Sequence, residues 1–493
     1  MKEIRERYLF ILASALLYVL ALVIPNAKVG LAVSVLVAVI AFFKPKEGLL
    51  SLLIYFPTRY FLTEINPGLK LAGDIIIIAA FIRILWDQRT NWKQMFAFTI
   101  FEWGFFAFLI IGTISAFLTG VSPSAIVFQL RAFIITYLLF YIVRRLNISK
   151  EDVKQFLWIT FVMAMIITLH GLVEKLSSRS FLLPEMWAGR MLSPNNASRI
   201  YGLTNNPNVL AVYLSIAFLC TLYLQQFIQK KGMKLFLTIS MIFMMGVWTL
   251  TYSRGTWIGF AVALAVYILL TRNWGVLKRT ILILLASTIL INLPVVEATK
   301  WIKANGIFTP APPSPSDNGD NEGEDTESVE RKRIEGTFDE STLELSKETG
   351  RLFIVFKGFE IFKDHPVIGT GFGTYGDSAT KSYSSPIYDD YDIGFDIYSD
   401  NQYIQIIVQT GALGVIAFAV FLLGMLLGLW KYRKSSVMAI PTLALLLGIY
   451  WCGFIYNIWE DKTFTLYFFI MIGFIFNLLS NKERNRNEST TSH

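Results

Sequence analysis

Three arginines are the residues of this chain whose type and setting most directly suggest chemistry. Arg254 lies in the motif LTYSRGTWIG, Arg199 in SRIYGLTNNPNVLA, and Arg351 at the start of a segment with helical apolar spacing. A guanidinium group donates two parallel hydrogen bonds to the oxygens of a phosphate. If they converge from separate loops, the three arginines would therefore suit a diphosphate. The structural alternative for Arg254 is an interfacial charge whose side chain extends to water.

One carboxylate, that of Asp400, stands next to Asn401 at the mouth of an apolar segment that begins near residue 402. Because a helix N-terminus stabilises negative charge, simple helix capping is one interpretation of Asp400. The other interpretation is a general base that deprotonates an acceptor hydroxyl. His365, in the sequence DHP, is a second titratable candidate. The alternative for His365 is an ordinary turn position before Pro366.

An arginine inside an apolar segment, Arg131, is a further candidate, because charged residues within membrane spans are usually functional. The structural alternative is an ion pair between Arg131 and Glu102, which lies in the preceding apolar segment.

The glycine-rich stretch GTGFGTYG, residues 369–376, predicts a turn. It lacks the preceding strand and the following Lys-Ser/Thr of a Walker loop. Its backbone N–H groups could still face an anion. The chain has only three His and two Cys, and Cys220 and Cys452 both fall in apolar segments. We therefore expect no metal site and no cofactor.

The elements that must position these residues are membrane-spanning helices. Only 16% of the residues are charged, against about 25% in soluble domains, and the mean hydropathy is +0.52. Long apolar runs follow one another from residue 8 to residue 294 and again after residue 401. The sequence predicts an all-α polytopic integral membrane protein with about 12–14 transmembrane helices. The predicted segments are 8–25, 29–43, 48–62, 71–86, 95–118, 125–143, 155–173, 208–228, 234–252, 256–271, 279–294, 402–430, 438–457 and 463–480.

The distribution of basic residues predicts the orientation of the chain. Lys and Arg concentrate in every second short connection, which places both termini in the cytoplasm. Residues 1–294 then form an N-terminal helical block, 295–400 a large extracytoplasmic loop, 401–480 the C-terminal helices, and 481–493 a cytoplasmic tail. This asymmetry also accounts for much of the net charge of +8, so no nucleic acid partner is expected.

Two regions differ within the predicted loop. Residues 309–330 are Pro-rich and then acidic, which predicts a disordered insert. Residues 341–364 regain helical apolar spacing, which predicts an amphipathic helix on the outer surface.

Four short motifs occur in order along residues 195–415, and together with the hydropathy profile they resemble the O-antigen ligase/polymerase superfamily. Its members are polytopic bacterial enzymes with a large loop outside the cytoplasmic membrane. In this chain the motifs are Arg-x-x-Gly…Asn-Pro-Asn (Arg199, Gly202, 206–208), Ser-Arg-Gly (253–255), Gly-Arg…Asp-His-Pro…Gly-x-Gly (Gly350, Arg351, 364–366, Gly369, Gly371) and Asp-Asn-x-Tyr…Gly-x-x-Gly (Asp400, Asn401, Tyr403, Gly411, Gly414).

The resemblance implies an undecaprenyl-diphosphate-linked saccharide as donor and as acceptor. It also implies metal-independent glycosyl transfer and a fold similar to type C glycosyltransferases. Arg254 and Arg351 would hold the donor diphosphate and stabilise the leaving group, and Asp400 would act on the attacking hydroxyl. The other candidate substrate-binding residues are Arg199, Lys70, Arg131, His365 and Asn401.

The residue before Asn401 bears on the reaction, because ligases of the superfamily often carry a His where this chain has Asp400. The difference favours a polymerase, and the C-terminal half resembles polymerases of teichuronic acid or exopolysaccharide from Gram-positive bacteria. The expected partners are the lipid bilayer and the lipid-linked saccharides, with a flippase and a chain-length protein as further candidates.

Two alternatives remain open at this stage. One is an O-antigen-ligase-like transfer of finished glycan to a wall or lipid acceptor. The other is a polytopic transporter, which typically shows inverted repeats and broken helices near mid-membrane. The polar candidates of this chain instead cluster at the predicted outer face.

Overall fold

The structure is a computed structural model that describes residues 2–190, 192, 194–308 and 350–490. Within these ranges the chain is helical and contains no β-strand, which confirms the predicted all-α class. The predicted disordered insert at 309–330, and residues 341–349 of the predicted amphipathic helix, lie outside the described residues.

Every apolar segment predicted from the sequence overlaps a helix of the structure, although the helix within 438–457 already ends at Cys452. The longer helices are Lys2–Val23, Ala27–Phe43, Pro45–Ile65, Ala72–Asp87, Ile100–Leu118, Pro123–Arg145, Lys150–Leu176, Pro207–Leu224, Lys231–Leu250, Arg254–Thr271, Trp274–Ser287, Leu293–Ala304, Arg351–Asp364, Gln402–Lys431, Ala439–Cys452 and Lys462–Thr490. Among the described residues, four single-turn α-helices also occur in connections, at Trp92–Met95, Glu185–Ala188, Pro194–Ala197 and Thr380–Tyr383.

Eight helices among the described residues are long and apolar enough to cross a membrane. Four shorter apolar helices accompany them, at Tyr8–Val23, Ala27–Phe43, Ala439–Cys452 and Lys462–Asn477. The chain is thus a multi-pass membrane protein, while the predicted count of 12–14 spans stays a prediction. The eight are Ile100–Leu118, Pro123–Arg145, Lys150–Leu176, Pro207–Phe227, Lys231–Leu250, Arg254–Thr271, Trp274–Ala304 and Gln402–Lys431.

Two Asn residues define helix starts that matter for the site. Asn206 accepts hydrogen bonds from the N–H groups of Asn208 and Val209, with Pro207 in the first helical position. Pro suits the first helical position, because it lacks the N–H that the first turn leaves unpaired. Asn401 caps the helix Gln402–Lys431 in the same way.

The helix Gln402–Lys431 is interrupted at Gly411, where φ is +58°. The N–H groups of the next two residues leave the helical pattern and donate to the carbonyls of Pro366 and Val367, at 2.8 and 3.0 Å. A β-carbon at Gly411 would meet the Val367 carbonyl at 2.5 Å. Glycine is therefore required here, and the break fixes the chain that follows the helix Arg351–Asp364.

The helix Arg351–Asp364 is amphipathic, as its spacing predicts. Ile354 and Ile361 are buried in an apolar cluster with Ile404 and Val408, whereas Phe356 on the other face is 60% exposed. This helix lies within the predicted amphipathic segment 341–364, whose position on the outer surface stays a prediction.

The chain divides into two compact units. The first comprises Met1–Ala80, Ser149–Trp257 and Asn273–Asp339, and the second comprises Phe81–Ile148, Ile258–Arg272 and Glu340–His493.

Candidate functional site

In the second unit, the guanidinium of Arg351 lies beside the carboxylate of Asp400. The Arg351 Nη2 to Asp400 Oδ2 distance is 3.7 Å, and the two side chains are 55% and 41% exposed. Arg351 Nη2 also donates to the carbonyl of Ile455 at 3.4 Å. An ion pair this exposed contributes only about 0–1 kcal/mol to stability. Both charged groups therefore remain accessible to a ligand at the N-terminal end of a candidate span.

The predicted helix-capping role of Asp400 is wrong, because Asn401 performs it. The Asn401 side-chain oxygen accepts from the N–H groups of Tyr403 and Ile404, at 3.1 and 3.2 Å. Asp400 has a left-handed backbone with φ +45°, a conformation that costs a non-glycine residue roughly 1–2 kcal/mol. Its carboxylate oxygen Oδ2 lies 3.7 Å from Nη2 of Arg351. Asn401, predicted as a substrate-binding residue, uses its side-chain oxygen to cap the helix.

His365 terminates the helix Arg351–Asp364 and has an exposed side chain. Its backbone N–H donates to Ile361, and its carbonyl accepts from Gly369 at 3.2 Å. These contacts fit the alternative interpretation of His365 as a turn position, and its role in binding substrate stays a prediction.

Most amides of the glycine-rich turn are bonded within the protein and do not face an anion, contrary to the sequence-based suggestion. The N–H groups of Thr370 and Gly371 donate to the carbonyls of Val408 and Gln409, and that of Phe372 donates to the carbonyl of Gly112. Other amides of the turn are equally engaged, at Gly369 with His365, at Gly373 with Asp377, and at Gly376 with Tyr388. The turn is therefore a packing element within the second unit.

Two buried carboxyl groups, Asp377 and Glu460, lie in one polar network beneath this turn. Glu460 accepts from the Ser378 hydroxyl at 2.6 Å and from the Gln405 amide at 2.5 Å. Asp377 accepts from the Gln409 amide at 2.6 Å, and Gln405 donates to Gln409 at 3.4 Å. Burial raises the pKa of both carboxyl groups. Burial together with repulsion by Asp377 raises the pKa of Glu460 to about 7.

A second buried contact, absent from the sequence-based candidates, joins Ser399 to Asn457. The Ser399 hydroxyl donates to the Asn457 side-chain oxygen at 2.8 Å, and the Asn457 amide donates to the carbonyl of Gly376 at 2.9 Å. Glu460 and Asn457 both lie in the connection between two apolar helices, Ala439–Cys452 and Lys462–Thr490. Polar residues between two apolar helices were the signal that could have found them.

The predicted pairing of Arg131 with Glu102 is wrong. Glu102 instead pairs with Arg144 at 3.1 Å and accepts from the Tyr137 hydroxyl at 2.6 Å and the Thr99 N–H at 2.6 Å. Arg131 and Arg144 are thirteen residues apart on the helix Pro123–Arg145, or about 20 Å at 1.5 Å per residue. Glu102 thus lies towards the opposite end of that helix from Arg131, whose substrate-binding role stays a prediction.

In the first unit, Arg199 ties two loops together. Its Nε donates to the carbonyl of Thr251 at 2.8 Å, and its Nη2 donates to Asn208 Oδ1 at 3.0 Å. The Ser253 hydroxyl donates to the same Asn208 oxygen at 2.7 Å. A further contact joins Arg199 Nη1 to Asn196 at 3.3 Å. Arg199 therefore fixes the turn before Arg254.

Arg254 is the first residue of the helix Arg254–Thr271 and is half-buried. The preceding turn, which the sequence placed between two spans, contains Tyr252 with φ +50°. The N–H of Arg254 donates to the Tyr252 carbonyl at 3.1 Å. Lys70, also in the first unit, has an exposed side chain and follows the single turn Pro67–Leu69.

The structure thus brings together Arg351, Asp400 and the helix start at Asn401 in the second unit. In the first unit it joins Arg199 to the turn that carries Arg254. The convergence of Arg254 with Arg351 and Asp400 stays a prediction.

Metal ligands are not assembled in the described part of the chain, which holds no group of three or more His, Cys, Asp or Glu residues that could bind an ion. Both cysteines, Cys220 and Cys452, are free and buried, as their apolar surroundings predict.

Residues 239–419 match the family model described as O-antigen ligase. No curated protein and no solved structure gives a significant match. The similarity to type C glycosyltransferases therefore stays a prediction. The matched residues include the candidates Arg254, Arg351, His365, Asp400 and Asn401, but not Lys70, Arg131 or Arg199.

Fold and site together define a polytopic helical membrane protein with an arginine–carboxylate pair at the end of a candidate span. The family match goes further and confirms the resemblance to the O-antigen ligase/polymerase superfamily. The match of residues 239–419 to the O-antigen ligase model supports glycan transfer of the ligase or polymerase type.

Proposed function

We propose that this protein polymerises undecaprenyl-diphosphate-linked oligosaccharide repeat units into a cell-surface polysaccharide, on the outer face of the cytoplasmic membrane. A teichuronic-acid-like polymer or an exopolysaccharide is the proposed product. The proposed topology places both termini in the cytoplasm and the loop between the helical blocks outside.

The contact between Arg351 and Asp400 carries this proposal. Both residues lie in the matched domain, at the N-terminal end of the candidate span Gln402–Lys431, and both are partly exposed. A lipid-linked donor has its diphosphate at the membrane surface, where its prenyl chain meets the headgroups. An exposed cation and an exposed carboxylate at the end of a span suit that position, with the cation for the diphosphate and the carboxylate for a hydroxyl.

The proposed reaction forms one bond and breaks one. The acceptor sugar hydroxyl attacks the anomeric carbon of the donor, and its proton passes to the Asp400 carboxylate. The bond between the anomeric carbon and the diphosphate oxygen breaks, and undecaprenyl diphosphate leaves. Arg351 and Arg254 stabilise the negative charge that develops on that leaving group. The reaction as proposed requires no metal ion.

The remaining candidates have supporting roles in this proposal. Arg199 acts through its contacts with Thr251 and Asn208, which hold the turn before Arg254. The exposed side chains of Lys70 and His365 are proposed to contact substrate phosphate or sugar. Arg131 and Asn401 are retained as proposed binding residues, with Asn401 acting mainly as the helix cap.

Turnover by the purified full-length protein tests the proposal. The substrate is a synthetic undecaprenyl-diphosphate repeat unit, supplied in detergent with EDTA present. We expect a ladder of products that increase by one repeat unit, together with release of undecaprenyl diphosphate. Absence of elongated product under these conditions would contradict the proposal.

The ligase alternative predicts a different product. A ligase would leave the repeat unit unextended and transfer preformed glycan to a wall or lipid acceptor. In cells that lack the gene, accumulation of single lipid-linked repeats indicates a polymerase, whereas accumulation of lipid-linked polymer indicates a ligase. Movement of labelled saccharide across proteoliposomes without a new glycosidic bond would favour the transporter.

A further inference from the structure

A buried junction of three residues lies directly beside Asp400. The N–H of Ser399 donates to the carbonyl of Gly376 at 2.9 Å, and the Ser399 hydroxyl donates to Asn457 Oδ1 at 2.8 Å. The Asn457 amide closes the triangle by donating to the same Gly376 carbonyl at 2.9 Å. A β-carbon at Gly376, where φ is +62°, would lie 2.6 Å from that of Ser399. The junction therefore depends on close backbone approach at a glycine.

This junction fixes the chain on one side of Asp400, and the helix cap fixes it on the other. The Ser399 hydroxyl also lies 3.2 Å from the Asn401 carbonyl, so it spans the left-handed residue. Asn401 in turn accepts from the N–H groups of Tyr403 and Ile404. A strained φ persists only where the surrounding contacts hold it, and these contacts do so for Asp400.

The connection that contains Asn457 reaches the arginine as well. Its residue Ile455 offers the carbonyl that accepts from Arg351, at 3.4 Å. The carbonyl of Gly453 accepts from the N–H of Gln402, at 2.8 Å, in the first turn of the same helix that Asn401 caps. Residues 453–457 thus contact Arg351 directly, and they contact Ser399 and Gln402 on the two sides of Asp400.

We propose that Asn457 is a positioning residue, which acts through Ser399 to hold the Asp400 carboxylate in its orientation beside Arg351. This inference rests on the proposed function. Asn457 is fully buried, so it does not touch substrate. Its effect on the reaction comes from geometry, since a proton acceptor must lie about 2.6–3.2 Å from the atom it deprotonates.

The first test compares turnover of Asn457→Ala with that of the wild-type full-length protein, using the lipid-diphosphate repeat unit. We expect kcat to fall on the order of 100-fold, the cost typical of a misplacement by about 1 Å, with a smaller change in KM. Ser399→Ala removes the other end of the same hydrogen bond and should act similarly. The double variant should then be no slower than the slower single variant, because contacting residues are not additive.

Asn477→Ala is the matched control. Asn477 is likewise a buried Asn of the second unit whose amide donates to backbone carbonyls, those of Val143, Arg144 and Leu146. We expect this variant to lower the melting temperature without lowering kcat. An equal loss of kcat in Asn477→Ala, or an unchanged kcat in Asn457→Ala, would overturn the inference.

A second measurement does not depend on turnover. Hydrogen exchange of a peptide covering residues 399–404 should be faster in Asn457→Ala than in wild type, because the capped amides of Tyr403 and Ile404 lose their support. Asn477→Ala should leave this peptide as protected as in wild type. Unchanged protection in Asn457→Ala refutes the positioning role even if no polymer is made. Inactive wild-type protein with altered exchange in the variant refutes only the proposed function.

Discussion

At the scale of single residues, Arg351 and Asp400 form a solvent-exposed ion pair that contributes little to stability. Their contact distance of 3.7 Å and their exposure leave room for a substrate group between or beside them. A sequence shows that both residues precede or begin helices, but it does not show that they meet. Forty-nine positions separate them, and their contact depends on the packing of the helix Arg351–Asp364 against Gln402–Lys431.

Asp400→Asn should nearly abolish polymerisation while leaving the protein folded. An amide cannot accept the proton of the attacking hydroxyl, and general-base catalysis is typically worth 10²–10⁴-fold in rate. The measurement is kcat of the purified variant, with the melting temperature measured on the same sample. A kcat within about threefold of the wild-type value would contradict the role of Asp400 as the base, because so small a loss lies well below the range typical of general-base catalysis.

Arg351→Ala should reduce polymer formation because the donor diphosphate loses a guanidinium contact. Removal of one charged transition-state contact typically costs about 10²–10³-fold in kcat. Lys363→Ala, at an exposed basic residue near the other end of the same helix, is the matched control. Comparable losses in the two variants would assign the effect to general surface charge and not to a binding contact.

The raised pKa of Glu460 predicts how the free energy of unfolding depends on pH. Its pKa rises from an ordinary value of 4.5 to about 7 in the folded chain, because of burial and of repulsion by Asp377. Between these values the folded state holds a proton that the unfolded state releases. The free energy of unfolding therefore decreases as pH rises through about 7, and the protein should melt at a higher temperature at pH 5 than at pH 8.

Glu460→Gln should flatten this pH dependence, since the amide cannot ionise. Glu360→Gln, at an exposed residue that pairs with Lys357, serves as the control and should keep the wild-type profile. Identical melting profiles for Glu460→Gln and wild type between pH 5 and pH 8 would show that Glu460 does not titrate in that range.

At the scale of elements, the sequence predicted helices well and loop contacts poorly. Hydropathy and cap residues such as Asn206 act within a few positions, so each predicted apolar segment overlaps a helix. The glycine turn was misjudged because its amides bond to carbonyls of distant segments, such as Gly112 and Val408. Asn457 and Glu460 escaped notice for the same reason, since their partners come from residues 376–405.

The glycine turn gives a prediction at this scale. In Gly371→Ala the new β-carbon would lie 2.0 Å from the Ala116 nitrogen, at a φ of +95°. We expect destabilisation of at least about 2 kcal/mol, from left-handed strain and overpacking together. Gly394→Ala is the control, because a β-carbon there meets nothing within 4 Å. Thermal unfolding of the two variants in detergent measures the difference, and equal stability would show that the turn is not tightly packed.

At the scale of the whole molecule, the fold class and superfamily followed from patterns that act along the entire chain. Low charge and long apolar runs indicated a multi-pass helical protein, and the ordered motifs indicated the superfamily. Whether Arg199, Arg254 and Arg351 converge depends on how distant segments of the chain pack. Sequence order does not determine that packing. Membrane orientation likewise rests on charge asymmetry.

The proposed orientation predicts the labelling of single introduced cysteines. Gly394→Cys should react in intact cells with a membrane-impermeant thiol reagent, whereas Thr90→Cys should react only after permeabilisation, because Lys and Arg mark its connection as cytoplasmic. Both positions are exposed, and the native Cys220 and Cys452 are buried and should stay silent. The reverse labelling pattern would invert the topology and place Arg351 and Asp400 on the cytoplasmic side.

The candidate span Trp274–Ala304 consists of the helices Trp274–Ser287 and Leu293–Ala304 and of the π-helical turn Thr288–Asn292 that joins them. The length of this span has a consequence for the chain that follows it. Its 31 residues extend about 46 Å, against about 30 Å of hydrocarbon in a bilayer. The surplus of about 16 Å falls naturally at its polar end, which carries Glu297, Lys300 and Lys303. About three rigid turns would then stand above the lipid, and the chain that follows Ala304 would begin at a height over the membrane that helix geometry sets.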